Sequence, residues 1–96
     1  MPYSLEFKES AIKEWQKLDG TIRAQFKKKL AERLEQPRVV SARLSGMADC
    51  YKIKLKNAGY RLVYQVDNKR IVVIVVAVGK RENLAVYRSA AGRLNE

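Results

Sequence analysis

The stretch CYKIKLKNAGYRLVYQVDNKRIVVIVVAV, residues 50–78, decides the fold because it contains three strand-like segments separated by two turns. Residues 50–56 alternate apolar side chains with lysines, which is the period of a half-buried strand. The sequences NAG and DNK after the first and second segments are typical of turns, so residues 60–66 and 71–78 are predicted to complete a meander. The last segment is apolar on both faces, which predicts a central strand.

Outside this stretch the apolar periodicity predicts one more strand and three helices. Residues 2–7 alternate as a strand does, and residues 12–18 and 22–34 carry apolar side chains every three or four positions, as helices do before Pro37. A short C-terminal helix is indicated by the stripe Leu84, Tyr87, Ala91 and Leu94. The expected fold is one α+β domain over residues 1–96, in the order β-α-α-β-β-β-α, with a mostly antiparallel sheet packed on helices.

The charge of the chain favours a polyanionic ligand. Its 96 residues include 20 Lys and Arg against 10 Asp and Glu, which gives a formal net charge of +10. Residues 50–88 carry nine basic and two acidic side chains, so most of the excess lies on the predicted sheet. Nucleic acid is therefore the expected class of ligand.

Missing residue types exclude several classes of site. The chain has no histidine, so neither a Ser-His-Asp triad nor a His-ligated zinc site can form. Its single cysteine, Cys50, excludes an intrachain disulfide and fits a cytoplasmic protein. The first residues lack the apolar segment of a signal peptide, and the longest apolar run, residues 71–78, is too short for a bilayer. We expect a soluble protein with no membrane partner.

The carboxylates of the helical half show no metal-binding pattern. They are scattered without a pairing motif: Glu6, Glu9, Glu14, Asp19, Glu32 and Glu35. A divalent cation is usually held by several carboxylates that converge on it, so no metal and no other cofactor is expected.

A lysine stripe on the first strand of the meander allows two interpretations. Lys52, Lys54 and Lys56 share one face, where their like charges repel one another. Either these lysines discourage the pairing of another strand at a sheet edge, or they bind an anionic ligand. Arg61 favours the ligand, because alternation puts it opposite the face of the apolar residues in its own strand. Lys80 and Arg81, just beyond the central strand, are expected to join the same electropositive face and to form a phosphate site there.

Two other features have ordinary structural interpretations. The run from Lys27 to Lys29 lies on a helix of mixed charge, which favours a solvated surface over a ligand site. Tyr87 lies on an apolar helical stripe, which slightly favours a core position with the hydroxyl at the rim. Its alternative position is over the basic face, because it follows Arg81 by six residues.

Three motifs, in this order and at this spacing, resemble the RelE family of toxins from bacterial toxin-antitoxin pairs. They are DCYKIKL at residues 49–55, GYRLVY at residues 59–64, and VGKRE at residues 78–82 followed by Tyr87. The resemblance covers essentially the whole chain, including residues 13–15, 27–30 and 44–46. One departure is Ser45, where relatives near the archetype have a basic residue before the glycine of this loop.

The resemblance implies a microbial-ribonuclease-like fold that enters the A site of the 70S ribosome and cleaves the mRNA there, with little activity on free RNA. It assigns the catalytic roles to Lys52, Lys54, Arg61, Arg81 and Tyr87. Further RNA contacts are expected from Lys56, Arg43, Lys80 and Arg88, with Arg43 compensating for Ser45. The resemblance also implies a RelB-like antitoxin, acidic and partly disordered, whose complex with the toxin binds operator DNA and represses its own operon.

Cleavage by an internal 2′-hydroxyl requires a base, a clamp for the phosphorane charge, and stabilisation of the leaving 5′-oxygen. Lys54 is the expected base because its cationic neighbours disfavour its charged form, with Tyr87 as the alternative. Arg61 and Lys52 are expected to hold the phosphate oxygens. Arg81 would brace the leaving oxygen, either as an acid or only as a clamp.

Two other functions remain open from the sequence. The first is a toxin of the ParE branch, which inhibits a protein target such as DNA gyrase and is not a nuclease. The second is a ribosome- or RNA-binding module without catalysis, in which positive charge matters but the identity of each group does not.

Overall fold

A four-stranded mixed sheet forms the centre of the computed structural model, which describes residues 2–80 and 85–94. The strands are β1 Ser4–Phe7, β2 Cys50–Leu55, β3 Tyr60–Asp67 and β4 Val72–Lys80. The helices are α1 Glu9–Gln16, α2 Gly20–Glu35 and α3 Ala85–Arg93, with a short 3-10 turn at Val40–Ala42. This order confirms the β-α-α-β-β-β-α prediction.

The order of the strands in the sheet is β1-β4-β3-β2, so β4 is central as its apolar sequence predicts. β1 pairs with β4 in parallel, whereas the other two pairs are antiparallel. β4 continues past the predicted end at residue 78, because Gly79 and Lys80 pair with Arg61 and Tyr60. β1 begins two residues later than predicted, at Ser4.

The main core lies between one face of the sheet and helices α1 and α2. Trp15 packs between Phe7 and Phe26, with ring centroids 5.2 and 6.3 Å away. Tyr64 is fully buried on the same face, and its hydroxyl donates a 2.6 Å hydrogen bond to the carbonyl of Pro37. No helix within the described residues is both long enough and apolar enough to cross a bilayer.

The other face of the sheet carries a smaller core under α3. Its buried members are Cys50, Val63, Val76, Ala77, Val86 and Ala90. The predicted apolar stripe of the C-terminal helix is therefore partly wrong, because Val86 and Ala90 are buried while Ala91 is exposed. Leu84 of that stripe lies outside the described residues.

Side chains cover the part of the β4 edge that β1 leaves open. β1 pairs only as far as Val75 of β4. Beyond it, Glu14 of α1 accepts a 3.1 Å hydrogen bond from the amide of Val78, and Arg93 of α3 donates a 3.0 Å bond to the carbonyl of Val76. A 2.7 Å ion pair between Glu14 and Arg93 joins the two helices around this edge, so backbone groups that lack a strand partner are still satisfied.

Candidate functional site

Two cations of the predicted site are direct neighbours across the sheet. Lys54 of β2 pairs with Arg61 of β3, and Arg61 pairs on its other side with Gly79 of β4. Directly opposed residues share a face of an antiparallel sheet, so both cations lie on the α3 side. Gly79 has no side chain, and Val86 of α3 occupies the space above it.

Helix α3 brings Tyr87 over this pair of cations. A Cβ atom at Gly79 would lie 3.0 Å from Val86, so the absence of a side chain lets the first turn of α3 pack closely on β4. The hydroxyl of Tyr87 accepts a 2.9 Å hydrogen bond from Arg61, whose guanidinium carbon is 5.5 Å from the ring centroid. Tyr87 is half-buried at the border of the small core, so the sequence-based preference for a core position is corrected to a contact with the basic face.

Arg61 keeps hydrogen-bonding capacity that its described surroundings do not use. Its Nε is buried and has no acceptor among the residues that the structure describes. Buried polar donors are normally paired, so an unpaired donor in a basic cluster is a feature of a ligand site. A guanidinium has five N–H donors in a planar fork that fits the oxygens of a phosphate.

The electrostatic surroundings of Lys54 disfavour its charged form. Its side chain is exposed, and its pKa is lowered from the ordinary value, first by the charge of Lys52 and then by that of Arg61. Burial and Lys56 lower the pKa further as smaller causes. An amine that loses its proton more readily than a free lysine is suited to act as a general base.

Lys52 is held in place through its backbone. Its carbonyl accepts a 3.2 Å hydrogen bond from Arg33 of α2, and the same Arg33 nitrogen donates a 2.9 Å bond to the hydroxyl of Tyr64. Arg33 thus connects α2 and the main core to the strand that carries the lysines. We did not predict this role from the sequence, although Arg33 lies beside the apolar stripe of α2, which is the signal that could have revealed it.

A small depression of about 160 Å³ lies at these residues, and its lining includes Lys54, Lys56 and Arg61 together with Tyr60. A larger hollow of about 530 Å³ lies along residues 43–48. Of the described residues, it shares none with the lining of the first, and Arg43 is the only charged side chain in it. The smaller depression is therefore the better candidate for a phosphate site.

The remaining predicted RNA contacts are distributed more widely than expected. Lys56 lines the small depression, Arg43 is exposed in the loop before β2, and Arg88 is exposed on α3. Lys80 pairs with Tyr60, which puts it on the sheet face opposite Arg61 and corrects the expectation that it joins the same face. Arg81, to which the resemblance gives a catalytic role, lies outside the described residues.

The other reactive or charged side chains of the described residues do not form a second candidate site. Cys50 is buried, which raises the pKa of its thiol to about 11 and makes it a poor nucleophile. Lys27, Lys28 and Lys29 are all exposed on α2. Among residues 2–80 and 85–94, no three Cys, Asp or Glu side chains come close enough together to hold a metal ion.

Comparison with known proteins gives matches over nearly the whole chain. Residues 5–85 match the family model described as the ParE toxin of type II toxin-antitoxin systems. The mRNA interferase toxin RelE of Escherichia coli K12 is 56% identical over 94 residues, which cover 98% of this chain and 99% of the relative.

Solved structures of the Escherichia coli toxin agree with this match. A variant of RelE with two arginines replaced by alanine, in its free state, superposes with a TM-score of 0.91 at 55% identity, covering 98% of this chain and 99% of that one. The toxin in the intact RelBE complex gives a TM-score of 0.81 at 58% identity, covering 84% and 99%. These findings confirm the resemblance seen in the sequence, and the chain therefore belongs to the RelE/ParE family of toxins from type II toxin-antitoxin systems.

Proposed function

We propose that this toxin is a ribosome-dependent endoribonuclease that cleaves translated mRNA in the ribosomal A site and so inhibits translation. The observation that carries the proposal is the register of Lys54 against Arg61, with the hydroxyl of Tyr87 hydrogen-bonded to the arginine. This arrangement offers a base and a phosphate clamp side by side. The curated relative from Escherichia coli is named an mRNA interferase, which supports the same activity.

Lys54 acts as the general base in this proposal. It removes the proton from the 2′-hydroxyl of the RNA, whose oxygen then attacks the adjacent phosphorus and displaces the 5′-oxygen. The products are a 2′,3′-cyclic phosphate and a 5′-hydroxyl. Tyr87 is the alternative base, but its oxygen already accepts the hydrogen bond of Arg61, so we assign it the positioning of that arginine.

Arg61 and Lys52 stabilise the charge that accumulates on the phosphate oxygens during the reaction. Within the described residues the side chain of Arg61 donates a hydrogen bond only to Tyr87, so its other terminal N–H groups can donate to the phosphate oxygens. Arg81 braces the leaving oxygen as an electrostatic clamp, because a guanidinium is too weak an acid to give up a proton readily. Neither role requires a metal ion.

Dependence on the ribosome follows from the weakness of the base. The pKa of a lysine amine ordinarily lies far above neutral pH, and the cations around Lys54 lower it from there, so we expect much of the rate to come from alignment of the 2′-oxygen with the phosphorus. The depression at Lys54 has a volume of only about 160 Å³, so it holds little of a flexible RNA by itself. The ribosomal A site would supply the missing alignment.

A RelB-like antitoxin is the proposed protein partner. The similar toxin of Escherichia coli has been solved in a complex with its antitoxin RelB. A net charge of +10 favours rapid capture by an acidic segment of such a partner. We further propose that the toxin–antitoxin complex represses its own operon, with the antitoxin making the contacts to operator DNA.

The experiment that tests this function is to induce the chain in cells and to map mRNA 5′ ends by primer extension. Wild type should produce breaks within translated regions in register with codons, and Lys54→Ala and Arg61→Ala should abolish them. Lys28→Ala, a substitution of an exposed helix lysine, is the matched control and should leave the breaks unchanged. Arrest of growth without breaks would reject the nuclease and favour a ParE-type protein target.

A second variant separates catalysis from simple RNA binding. Arg81→Lys keeps the charge but removes the planar fork of donors. A nuclease should lose most of its cleavage while it retains ribosome affinity. A module that acts only by binding should inhibit translation equally well with either residue.

A further inference from the structure

A second hollow lies between the β2–β3 turn and α2, next to the Lys54–Arg61 depression. It has a volume of about 410 Å³ and is lined by Gln25, Lys29, Lys54, Leu55, Lys56 and Asn57. Three of these residues, Lys54, Leu55 and Lys56, also line the smaller depression. The two hollows are therefore neighbours that share part of their lining, and we call the one next to α2 the Lys29 groove.

We propose that the Lys29 groove binds the RNA phosphodiester backbone adjacent to the cleaved phosphate, with Lys29 as a positioning residue. The proposal rests on the proposed nuclease function and extends it to the path of the RNA. A strand whose reacting phosphate lies at Arg61 has further phosphates on either side. The Lys29 groove provides a cationic path for those on one side.

The charges of the two hollows are uncompensated. Within residues 2–80 and 85–94, four cations line them, namely Lys29, Lys54, Lys56 and Arg61, and no carboxylate does. The ion pairs within the described parts of the chain use other side chains: Arg38 with Asp49, Arg70 with Glu6, and Arg93 with Glu14. Like charges at close range repel, and a polyanion that enters the groove relieves the repulsion.

The geometry of α2 selects one lysine from the run of three. Gln25, Lys29 and Arg33 are spaced four residues apart and lie on one side of the helix. Arg33 fixes which side this is, because it donates hydrogen bonds to the carbonyl of Lys52 and the hydroxyl of Tyr64. Lys27 and Lys28 are rotated away by about 200° and about 100° from Lys29, and neither lines the groove.

The groove lining suits a phosphate backbone better than an acidic peptide. Apart from its lysines it offers the amide groups of Gln25 and Asn57, and among the residues that the structure describes the buried Leu55 is its only apolar side chain. A docked peptide usually inserts apolar side chains into apolar pockets, and the described lining of this groove forms no such pocket. Amides and ammonium groups donate hydrogen bonds to phosphate oxygens, so the groove lining favours RNA over an acidic peptide.

The test compares three charge reversals on the same helix: Lys29→Glu, Lys28→Glu and Lys27→Glu. Each changes the net charge equally at an exposed position, so a general loss of positive charge affects all three alike. Affinity for 70S ribosomes is measured by co-sedimentation at several salt concentrations. We expect Lys29→Glu to weaken ribosome binding roughly tenfold and to reduce the slope of log affinity against log salt concentration by about 0.7. The affinities of the Lys28→Glu and Lys27→Glu variants should change by less than about twofold.

Steady-state cleavage on mRNA-programmed ribosomes gives a second readout. A positioning residue that contacts the backbone outside the reacting atoms should raise KM, and leave kcat within about twofold. Ribosomes without mRNA separate the two sources of backbone. An affinity loss confined to programmed ribosomes supports mRNA as the occupant of the groove, and an equal loss on empty ribosomes would overturn the proposal in favour of ribosomal RNA.

Equal effects of the three charge reversals on ribosome affinity would contradict RNA binding in the Lys29 groove. A Lys29→Glu variant that loses affinity for the antitoxin alone would contradict it as well. Failure of the nuclease proposal is distinguishable from both results. If wild type binds ribosomes without cutting mRNA and Lys29→Glu still weakens that binding selectively, the groove stands and the proposed catalytic function falls.

Discussion

The amine of Lys54 is the single group on which the proposed chemistry depends most. Its pKa is lowered mainly by Lys52 and next by Arg61, and Lys56 is the smallest cause. A base must be neutral to accept a proton, so a lowered pKa raises the active fraction at every pH below it. Cleavage should rise with pH and level off above the pKa of Lys54.

The pH profile of two neutral variants tests this order of causes. Lys52→Met removes the largest charge acting on Lys54, so the pKa of Lys54 rises and the ascending limb of kcat against pH moves to higher pH. Lys56→Met should move it in the same direction by a smaller amount. Single-turnover cleavage on programmed ribosomes provides the measurement, and an unmoved limb in Lys52→Met would contradict the assignment of Lys54 as the base.

Tyr87→Phe separates the positioning role of this residue from that of a base. The substitution removes the hydroxyl that accepts the hydrogen bond of Arg61 but keeps the ring. We expect kcat to fall roughly tenfold, the value of one lost hydrogen bond to a charged group, with the pH profile unchanged. A loss of about a thousandfold, together with disappearance of the ascending limb, would instead identify Tyr87 as the base.

Helix α3 contacts the site through the hydrogen bond between Tyr87 and Arg61, and it packs on the smaller of the two cores. It rests on the small core of the α3 face and approaches β4 closely only where Gly79 has no side chain. Because Tyr87 belongs to this helix, any displacement of α3 also moves the hydroxyl away from Arg61.

Two glycine-to-alanine substitutions of opposite expected sign test this packing. Gly79→Ala introduces a Cβ 3.0 Å from Val86, and should lower the free energy of unfolding by about 1–3 kcal/mol and reduce cleavage. Gly92→Ala adds its Cβ to open space within α3, where it should raise that free energy by about 1 kcal/mol. Urea denaturation measures both, and equal effects at the two positions would show that α3 does not depend on the close contact at Gly79.

The elements were largely predictable from the sequence, because each follows from a local periodicity. The alternation of apolar and polar residues around Tyr51 and Ile53 specifies a strand without knowledge of its neighbours. The spacing of four residues between Phe26 and Leu30 specifies a helix in the same way. The contact between Arg61 and Tyr87 was not predictable in the same way. It depends on how closely α3 packs on β4 through Gly79, and periodicity does not reveal that distance.

For the chain as a whole, the distribution of charge matters more than any single pair. The three described ion pairs leave most of the 20 basic residues without a carboxylate within ion-pair distance in the described regions. The positive electrostatic field of these residues attracts polyanions over a distance that the salt concentration sets. The same positive charge thus serves two proposed partners, the ribosome and the antitoxin.

The rate of antitoxin association should therefore depend strongly on salt. We expect the association rate constant for a RelB-like antitoxin to fall roughly tenfold or more between about 0.05 M and about 0.5 M salt, with a smaller change in the dissociation rate constant. Stopped-flow fluorescence that uses Trp15 as the reporter gives both constants. An association rate constant independent of salt would show that the net charge of +10 does not steer the encounter.

The most direct test of the reaction proposed for the Lys54–Arg61 pair is the cleavage rate of an A-site mRNA in which the 2′-hydroxyl at the cut position is replaced by hydrogen. We predict that the wild-type chain cuts the unmodified mRNA, leaves a 2′,3′-cyclic phosphate, and does not cut the 2′-deoxy substrate. Cleavage of the 2′-deoxy mRNA at the unmodified rate would contradict it, because the attacking oxygen would then come from water rather than from the RNA.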